Sequence, residues 1–402
     1  MSTKELELSG TFVLNKRKPI HRWYPYSEGY SYPLVEKEVI RIGKKIDCIL
    51  DPFGGSGTTP LVASQKGIRS YYTEMNPFMR FVADTKINSV IESNQDTDEI
   101  LTELLKLRES LPSIITQSTT ISEFGGFEKF FDIEILRQIK NYSNFIDDAN
   151  HLHPLTVRFA NFALACVAVS VSNMVRRTDL RYAREDEKKE YNKNFTANIM
   201  DKLTEIITDI KDCSRTLISN TSCLGEDARY FDSPEKIDVV VTSPPYLNGT
   251  NYIRNTKLEL KLMKLIEKED DLKTLHSKGI VAGINNVSKR NIIPHILPET
   301  SEYVEKLEAD SYDLRIPKMV AGYFYDMNNV FENLHRQMKS GGTFVLDIGD
   351  SQFAGVHIPT HEILQTLAVK NGFHFIDEEI LRTRRSKNGM VLSQRVLRFQ
   401  NN

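Results

Sequence analysis

Apolar and polar positions divide the chain into two kinds of segment. A short apolar run at residues 46–51, IDCILD, is followed by the glycine-rich PFGGSGTT, then by PLVASQKG and IRSYYTEMNP. This succession predicts a strand, a tight turn, a helix closed by Gly67 and a second strand, which is a βαβ unit with a parallel sheet. Residues 77–90 predict another helix. Strand patterns return in TSCLGEDARYF, KIDVVVTSPPY, GGTFVLDIGDS and MVLSQRVLRFQ. The sequence therefore predicts an α/β fold.

Residues 91–220 follow a different pattern, because long charged stretches such as TDEILTELLKLRESL and NIMDKLTEIITDIKD have the apolar period of a helix. We expect a helical insertion there, with hardly a strand. A second predicted insertion, residues 268–313, is polar with little periodicity. The predicted α/β domain is thus residues 1–90 together with residues 221–402.

Composition narrows the class of protein only moderately. The 402 residues are 40% hydrophobic, which is ample for a core, and 52 Lys and Arg against 54 Asp and Glu give a net charge of −2. A nucleic-acid surface would therefore be a local patch. Four scattered cysteines form no CxxC pair, which argues against a zinc site or a disulfide framework. With no signal-like N-terminus and no long apolar run, we expect a cytoplasmic protein.

The glycine-rich turn is the first candidate for chemistry. In LDPFGGSGTT a strand end meets Gly54, Gly55 and Gly57 before a helix that starts at Thr58 or Thr59. Glycines allow positive φ and close approach of a ligand at the carboxyl edge of a parallel sheet, although a lone glycine turn often has only a backbone reason. The chain has no GxxxxGK[ST] sequence, which disfavours a triphosphate pocket.

Two acids extend this candidate site. Glu74 ends the next strand, where a carboxylate can accept both hydrogen bonds of a ribose diol. Asp227 follows a further strand and is placed to bind the exocyclic amine of an adenine. The glycine turn and both acids together predict a ligand that carries a ribose and an adenine.

The second candidate is Ser243-Pro244-Pro245-Tyr246, which follows the apolar strand DVVVT. Proline fixes φ and donates no N–H, so the chain leaves the sheet here in one rigid shape. The Ser243 hydroxyl and the Pro244 carbonyl are two fixed acceptors for the N–H bonds of an aromatic amine, and they would orient its lone pair toward an electrophilic methyl. Tyr246 offers a ring on which a base can stack. The alternative is that the two prolines merely end a strand.

These residues resemble the S-adenosylmethionine-dependent amino-methyltransferases of DNA. DPFGGSGTT is similar to their cofactor motif, TEMNP to their acidic second motif, and TSPPY to the catalytic tetrapeptide of the cytosine-N4 branch, whereas the adenine-N6 branch more often has Asp or Asn in place of Ser243. Residues 21–39 are similar to the segment that closes over the methionine end of the cofactor. The resemblance covers roughly residues 20–90 and 221–399.

The resemblance implies a class I Rossmann-like methyltransferase with a largely parallel seven-stranded sheet, and flipping of the target base out of the duplex. It implies S-adenosylmethionine as cofactor and no metal, since transfer from a sulfonium needs no Lewis acid. The implied catalytic residues are Ser243, Pro244, Pro245 and Tyr246. The implied cofactor-binding residues are Tyr26, Asp51, Phe53, Gly55, Gly57, Thr58, Glu74 and Asp227.

The chain departs from the family pattern in its order of motifs. The cofactor motif comes first and SPPY follows about 190 residues later, while many enzymes with the DPF type of motif have the reverse order. The place of the target-recognition region is therefore open. The helical insertion, residues 91–220, is a candidate for reading DNA or for covering the cofactor, and the second insertion, residues 268–313, is a candidate target-recognition element. Phosphate contacts need Lys or Arg near SPPY, and three basic clusters, expected in loops and at helix ends, supply candidates: Arg176, Arg177, Arg181, Arg184, Lys289, Arg290, Arg384 and Arg385. A single such cluster is more often only a solvated surface.

The sequence thus favours a DNA cytosine-N4 methyltransferase that acts on double-stranded DNA, as the modification enzyme of a restriction system with a cognate endonuclease. Adenine N6 is the closest alternative target, because Ser243 tunes the choice of base without dictating it. An RNA base-amine methyltransferase and an inactive cofactor- or DNA-binding scaffold are further alternatives. A protein-glutamine methyltransferase is disfavoured because its related tetrapeptide begins with Asn.

Overall fold

The computed structural model describes residues 3–26, 28–117, 124–177, 179–187, 193–247, 250–287, 295–386 and 389–402. In these ranges the strands are β1 (Cys48–Asp51), β2 (Arg69–Thr73), β3 (Met174–Arg176), β4 (Leu180–Tyr182), β5 (Thr221–Gly225), β6 (Ile237–Thr242), β7 (Met338–Gly349), β8 (Ser351–Phe353), β9 (Val356–Ile358), β10 (Phe373–Arg385) and β11 (Val391–Asn401).

The α-helices of the same ranges are α1 (Thr3–Ser9), α2 (Tyr32–Ile42), α3 (Thr58–Gln65), α4 (Pro77–Asp84), α5 (Val90–Glu92), α6 (Thr97–Ile115), α7 (Ile133–Asp147), α8 (Pro154–Val167), α9 (Phe195–Cys213), α10 (Lys257–Leu262), α11 (Leu272–His276), α12 (Ser301–Asp310), α13 (Arg315–Gln337) and α14 (Thr360–Lys370). A π-helical segment, Thr85–Ser89, joins α4 to α5. Within the described ranges, no helix combines the length and the apolar character that a membrane crossing needs.

The central sheet has seven strands in the order β10-β11-β7-β6-β1-β2-β5. The five strands from β7 to β5 pair in parallel, and β11 runs antiparallel to both of its neighbours. This confirms the expected α/β class with a largely parallel, Rossmann-like sheet. β1 and β6 are adjacent, with Ile49 opposite Val239. The glycine turn after β1 and the SPPY stretch after β6 therefore emerge side by side at one edge of the sheet.

The βαβ unit forms where the apolar pattern predicts it. All four residues of β1 are buried, as expected for a central strand covered on both faces. Helix α3 begins at Thr58, directly after Gly57, whose φ of +78° is in the left-handed region that favours glycine. After α3, Gly67 (φ +67°) reverses the chain into β2. These features confirm the predicted strand, turn, helix and strand.

The described residues between 91 and 220 fold into α6, α7, α8 and α9 and a two-stranded ribbon, β3–β4. Their apolar side chains pack with those of α4 in one large cluster. Arg158 of α8 also donates hydrogen bonds to Asp84 and to Thr85 Oγ1, the latter at 3.0 Å. The helices match the sequence pattern, but the ribbon does not, because its strands have only three residues each and carry little periodicity.

The basic segment LRTRR lies in a strand and not in a loop, contrary to the expectation for that cluster. Strand β10 extends to Arg385 at the edge of the sheet and pairs with β11, with Arg384 opposite Leu392. Its side chains alternate in exposure as far as Leu381, residues 382–385 are all exposed, and the pairing has two irregularities in register. An edge strand with charged side chains does not show the apolar run on which the sequence prediction depended.

Candidate active site

The glycine turn, residues 54–57, is a closed β-turn at the end of β1. The Gly57 amide donates to the Gly54 carbonyl at 2.8 Å, and the Gly54 amide donates to the Thr73 carbonyl of β2 at 3.0 Å. Gly55 has φ +48°, and a Cβ added there would lie 2.9 Å from Cε1 of Tyr26. The ring of Tyr26 thus lies directly against the turn, at a distance that only glycine permits without rearrangement.

Glu74 connects the turn to the end of β2. One of its carboxylate oxygens accepts from the Gly55 amide at 2.8 Å, and the other accepts from the Asn76 amide, also at 2.8 Å. Burial raises the pKa of Glu74 to about 7, because desolvation outweighs these two hydrogen bonds. A carboxylate poised near neutral pH at the end of a strand can still accept hydroxyl donors from a ligand.

Asp51 is the buried acid at the end of β1. Its oxygens accept from the Thr242 hydroxyl at 2.6 Å, from the Tyr30 hydroxyl at 2.9 Å and from the Phe53 amide at 3.0 Å. Burial raises the pKa of Asp51 to about 6. Tyr30 is thus a residue of this site that the sequence did not reveal, since nothing in its spacing distinguishes it from other tyrosines of the same segment.

A pocket surrounds the glycine turn, and we call it the turn pocket. Its lining contains these predicted site residues: Tyr26, Asp51, Phe53, Gly55, Thr58, Glu74, Asp227, Ser243, Pro244 and Pro245. Gly57 lies outside the lining, and a Cβ there would meet the Cβ of Ala83 at 3.0 Å. Gly57 therefore allows α3 and α4 to pack closely, a role different from the predicted contact with a cofactor.

Residues 276–282 of the second insertion cover one side of the turn pocket, where His276, Lys278 and Ile280 belong to the lining. Arg229 holds this segment: it donates to the Lys278 carbonyl at 3.1 Å and to Asp326 Oδ1 at 2.8 Å. Residues 276–282 thus lie over the pocket, a position that their polar composition did not predict.

Asp227 also lies beside this segment. Its two oxygens accept from the Arg229 guanidinium at 2.9 and 2.7 Å, and one of them also accepts from the Arg229 amide at 2.9 Å. The guanidinium fixes the carboxylate at the wall of the turn pocket. Because each carboxylate oxygen has two lone pairs, Asp227 retains capacity for a further donor.

The SPPY stretch leaves β6 and lies against β7 and β11. The Tyr246 hydroxyl donates to Asp347 Oδ2 at 3.0 Å, and the Tyr246 amide donates to the Tyr252 hydroxyl at the same distance. A Cβ on Gly349 would lie 3.1 Å from the Tyr246 ring, so the backbone of β7 supports that ring closely. The last residue of the tetrapeptide, Tyr246, is therefore held through both its side chain and its backbone amide.

Asp347 and Gln394 complete this network and were missed by the sequence reasoning. Asp347 is 2% exposed, and the Gln394 amide nitrogen lies 2.8 and 3.0 Å from its two oxygens. Burial raises the pKa of the Asp347 carboxyl to about 6, although Gln394, Tyr246 and the nearby Ser243 hydroxyl each lower it in part. An acid inside the apolar strand TFVLDIG, where charge is costly to bury, is the signal that would have indicated it.

A second opening, which we call the arginine cleft, adjoins the turn pocket and encloses about 500 Å³. Tyr246, Arg177 and Arg384 are among its lining residues, and Glu28 and Tyr252 line both cavities. Its volume is in the range of small-molecule sites. The cleft therefore joins the SPPY corner to two of the arginines that the sequence proposed as phosphate contacts.

The other proposed DNA contacts lie elsewhere. Arg176 does not fit the predicted role of a phosphate contact. Its guanidinium is largely buried, donates to the Asn255 carbonyl at 2.9 Å and pairs with Glu259. Arg181 donates to both oxygens of Glu187, at 2.7 and 2.8 Å. Arg184, through its backbone, also bonds Glu187, and Arg385 bonds the Gly389 carbonyl. Lys289 and Arg290 lie outside the described residues.

Comparison with known proteins gives a consistent group of relatives. The chain is 26% identical over 399 residues to the Type II methyltransferase M.AvaI of Nostoc sp., covering 90% of this chain and 81% of that protein. It is 26% identical over 440 residues to the Type II methyltransferase M.BsoBI of Geobacillus stearothermophilus, covering 96% and 84%. It is 23% identical over 396 residues to the Type II methyltransferase M.MvaI of Kocuria varians, covering 91% and 85%. No family model matches the chain.

Proposed function

We propose that this protein is a DNA methyltransferase that moves a methyl group from S-adenosylmethionine to the exocyclic N4 amine of a cytosine flipped out of duplex DNA. The observation that carries the proposal is the turn pocket, whose lining brings the glycine turn, Glu74 and the residues Ser243 to Pro245 together. The similarity to proteins named Type II methyltransferases extends over most of the chain and supports the same reaction class.

The residues of the turn pocket fit S-adenosylmethionine. Glu74 would accept from the ribose hydroxyls, since its two carboxylate oxygens each have a lone pair beyond the one used by a backbone amide. Asp227 would accept from the adenine amine. Tyr26, lying against Gly55, would enclose the methionine end together with Asp51 and the other lining residues Phe53 and Thr58. When bound, this cofactor supplies an electrophilic methyl group on a sulfonium.

The SPPY corner would hold the amine that accepts the methyl group. The Ser243 hydroxyl has one proton and two acceptor lone pairs. A Ser243 rotamer that donates this proton to Asp347 would leave the lone pairs to accept from an amine N–H. The Pro244 carbonyl would accept from the second N–H. Fixed acceptors of this kind require little reorganisation, and their contribution to the rate comes from positioning and preorganised electrostatics.

Asp347 gives this arrangement a way to handle the proton that the methylated amine must release. It accepts from the Tyr246 hydroxyl at 3.0 Å and interacts with Ser243, and its raised pKa of about 6 makes it a better proton acceptor than an exposed aspartate. The proton would move from the amine to the Ser243 oxygen while the serine proton moves to Asp347. The network on β7 and β11 would thus orient the serine and remove charge from the base.

The arginine cleft would receive the flipped base and the neighbouring backbone. Tyr246 is half-buried with Gly349 against its ring, which leaves the rest of its surface to a base stacking from the cleft. Arg177 and Arg384 line the cleft from the helical insertion and from β10, respectively. Phosphate contacts from both sides would place the DNA between the insertion and the sheet.

The names of the relatives support a place in a restriction-modification system, in which a cognate endonuclease would cut the same DNA site when it is unmethylated. The chain itself would protect that site by methylating it.

The deciding experiment incubates the purified protein with tritium-labelled S-adenosylmethionine and separate pools of duplex DNA and RNA, and then identifies the labelled nucleoside by mass. We expect N4-methyldeoxycytidine in the DNA pool. Label in N6-methyldeoxyadenosine would replace the proposed base while keeping the DNA methyltransferase. Label in RNA alone, or in neither pool while DNA and cofactor still bind, would overturn the proposal in favour of an RNA enzyme or an inactive scaffold.

A further inference from the structure

Lys86 is a buried lysine directly behind the glycine turn. It lies in the π-helical segment that joins α4 to α5, has no exposed surface, and its Nζ donates to the Ser56 carbonyl at 2.6 Å. Burial lowers the pKa of Lys86 to about 7. Placing an amine in such surroundings is costly, and the local irregularity of a π segment often accompanies a functional site.

The contacts around Lys86 fix its position. Helix α4 packs against the turn, since Ala83 would touch any Cβ on Gly57 at 3.0 Å. On the other side, Arg158 of the helical insertion binds Asp84 and Thr85, the two residues before Lys86. The amine is thus held by two packed elements and reaches the turn at a single carbonyl.

That carbonyl belongs to the last peptide of the glycine turn. The Ser56–Gly57 peptide is planar, and its N–H already donates to the Gly54 carbonyl at 2.8 Å. Fixing the carbonyl as well leaves this peptide one orientation, although the glycines on either side of Ser56 have the widest choice of backbone conformation. The conformation of the turn is therefore held from behind, on the side away from the turn pocket.

We propose that Lys86 is a positioning residue for the cofactor, which acts by holding the glycine turn in its ligand-binding conformation through the Ser56 carbonyl. The inference rests on the proposed function, because it concerns the same cofactor. It assigns a task to a buried amine that makes no contribution to the lining of the turn pocket.

The test replaces Lys86 with methionine, which has a similar length and no donor. We expect the dissociation constant and the KM for S-adenosylmethionine to rise about tenfold, from the loss of one hydrogen bond that orders the turn. At saturating cofactor, kcat should stay within about twofold of the wild type. The melting temperature should not fall by more than about 3 °C, because removing a buried amine offsets the lost hydrogen bond.

Two further variants make the result specific. Lys86→Gln retains a shorter donor, and its KM should lie between those of the wild type and Lys86→Met. Lys257→Met is the matched control, since Lys257 is also buried but pairs with Glu269 at 2.7 Å and lies outside the lining of the turn pocket. The affinity of the Lys257→Met variant for S-adenosylmethionine should remain within about twofold of the wild type.

The outcomes separate this inference from the proposed function. Unchanged cofactor affinity in Lys86→Met, with a wild type that binds, overturns the role of Lys86 alone. Loss of binding together with a large fall in melting temperature in both Lys86 variants assigns the residue to folding and also overturns it. A wild type that neither binds S-adenosylmethionine in calorimetry nor transfers methyl groups overturns the proposed function, and this inference with it.

Discussion

Replacing Glu74 with glutamine tests the proposed cofactor site most directly. The carboxylate accepts from the Gly55 and Asn76 amides and faces the turn pocket. An amide side chain has one accepting oxygen, so Glu74→Gln keeps at most one of these contacts and offers the ribose a single acceptor. Hydrogen bonds to charged groups contribute about 1.5–3 kcal/mol each, so the affinity for S-adenosylmethionine should fall roughly 10- to 100-fold at alkaline pH.

The pH dependence provides a sharper criterion. In the proposed site only the ionised carboxylate would accept from both ribose hydroxyls, and burial raises the pKa of Glu74 to about 7. The cofactor would therefore bind the deprotonated form, and wild-type affinity should rise as the pH increases toward and through 7. Below pH 7, each further decrease of one pH unit should lower the affinity by up to about tenfold. Position 74 cannot titrate in Glu74→Gln, so the change in affinity centred near pH 7 should disappear, and only a weaker dependence from Asp51, whose pKa is about 6, should remain at the acid end of the range.

Titration calorimetry at several values between about pH 6 and pH 8.5 measures both effects. Glu226→Gln is the control, because Glu226 also lines the turn pocket but its ion pairs with Lys278 and Arg80 lower its pKa, so it stays ionised throughout. Wild-type affinity that is flat across this range, or a Glu74→Gln variant with the wild-type pH profile, would refute the assignment of Glu74 to the ribose.

Three further changes probe the SPPY corner, the glycine turn and the arginine cleft. Ser243→Ala should reduce kcat for methyl transfer at least about tenfold, with cofactor affinity nearly unchanged by calorimetry; wild-type turnover would remove the serine from the mechanism. Gly55→Ala should weaken cofactor binding about tenfold, because its Cβ would lie 2.9 Å from the Tyr26 ring at a φ of +48°; unaltered binding would show that the turn adapts freely. Arg384→Gln should make the salt dependence of DNA affinity less steep by about 0.9 in log–log slope, while Arg385→Gln, outside the cleft, should not. Equal slopes for both variants would argue against the cleft as the DNA site.

The sequence was most informative where backbone geometry and chemistry coincide. The glycine turn and the two prolines restrict φ, and each follows a buried strand, so both could be placed at one edge of a parallel sheet before the fold was known. The spacing of Glu74 from the turn then predicted a second acid at the same edge. Local signals of this kind survive folding because they depend on neighbouring residues along the chain.

The sequence was least informative where contacts connect distant segments. Asp347 and Gln394 reach the SPPY corner from β7 and β11, and Tyr30 reaches Asp51 from a segment before β1. None of these residues has a spacing that links it to its partner. Arg176 was predicted as a phosphate contact for the same reason. A cluster of basic residues in the sequence does not reveal that Glu259 and the Asn255 carbonyl bind one of its members.

The helical insertion has a consequence for the order in which the chain folds. β2 and β5 are paired, with Ser70 opposite Thr221, although about 150 residues separate them. Closing a flexible loop of that length costs about 2 kcal/mol more than closing one ten times shorter. Once α6 to α9 have packed together, the ends of the insertion meet, since the Asn94 side chain donates to the Ser214 carbonyl at 3.4 Å. Early folding of the insertion therefore shortens the effective connection, and it turns a slow long-range pairing at the edge of the sheet into a nearly local one.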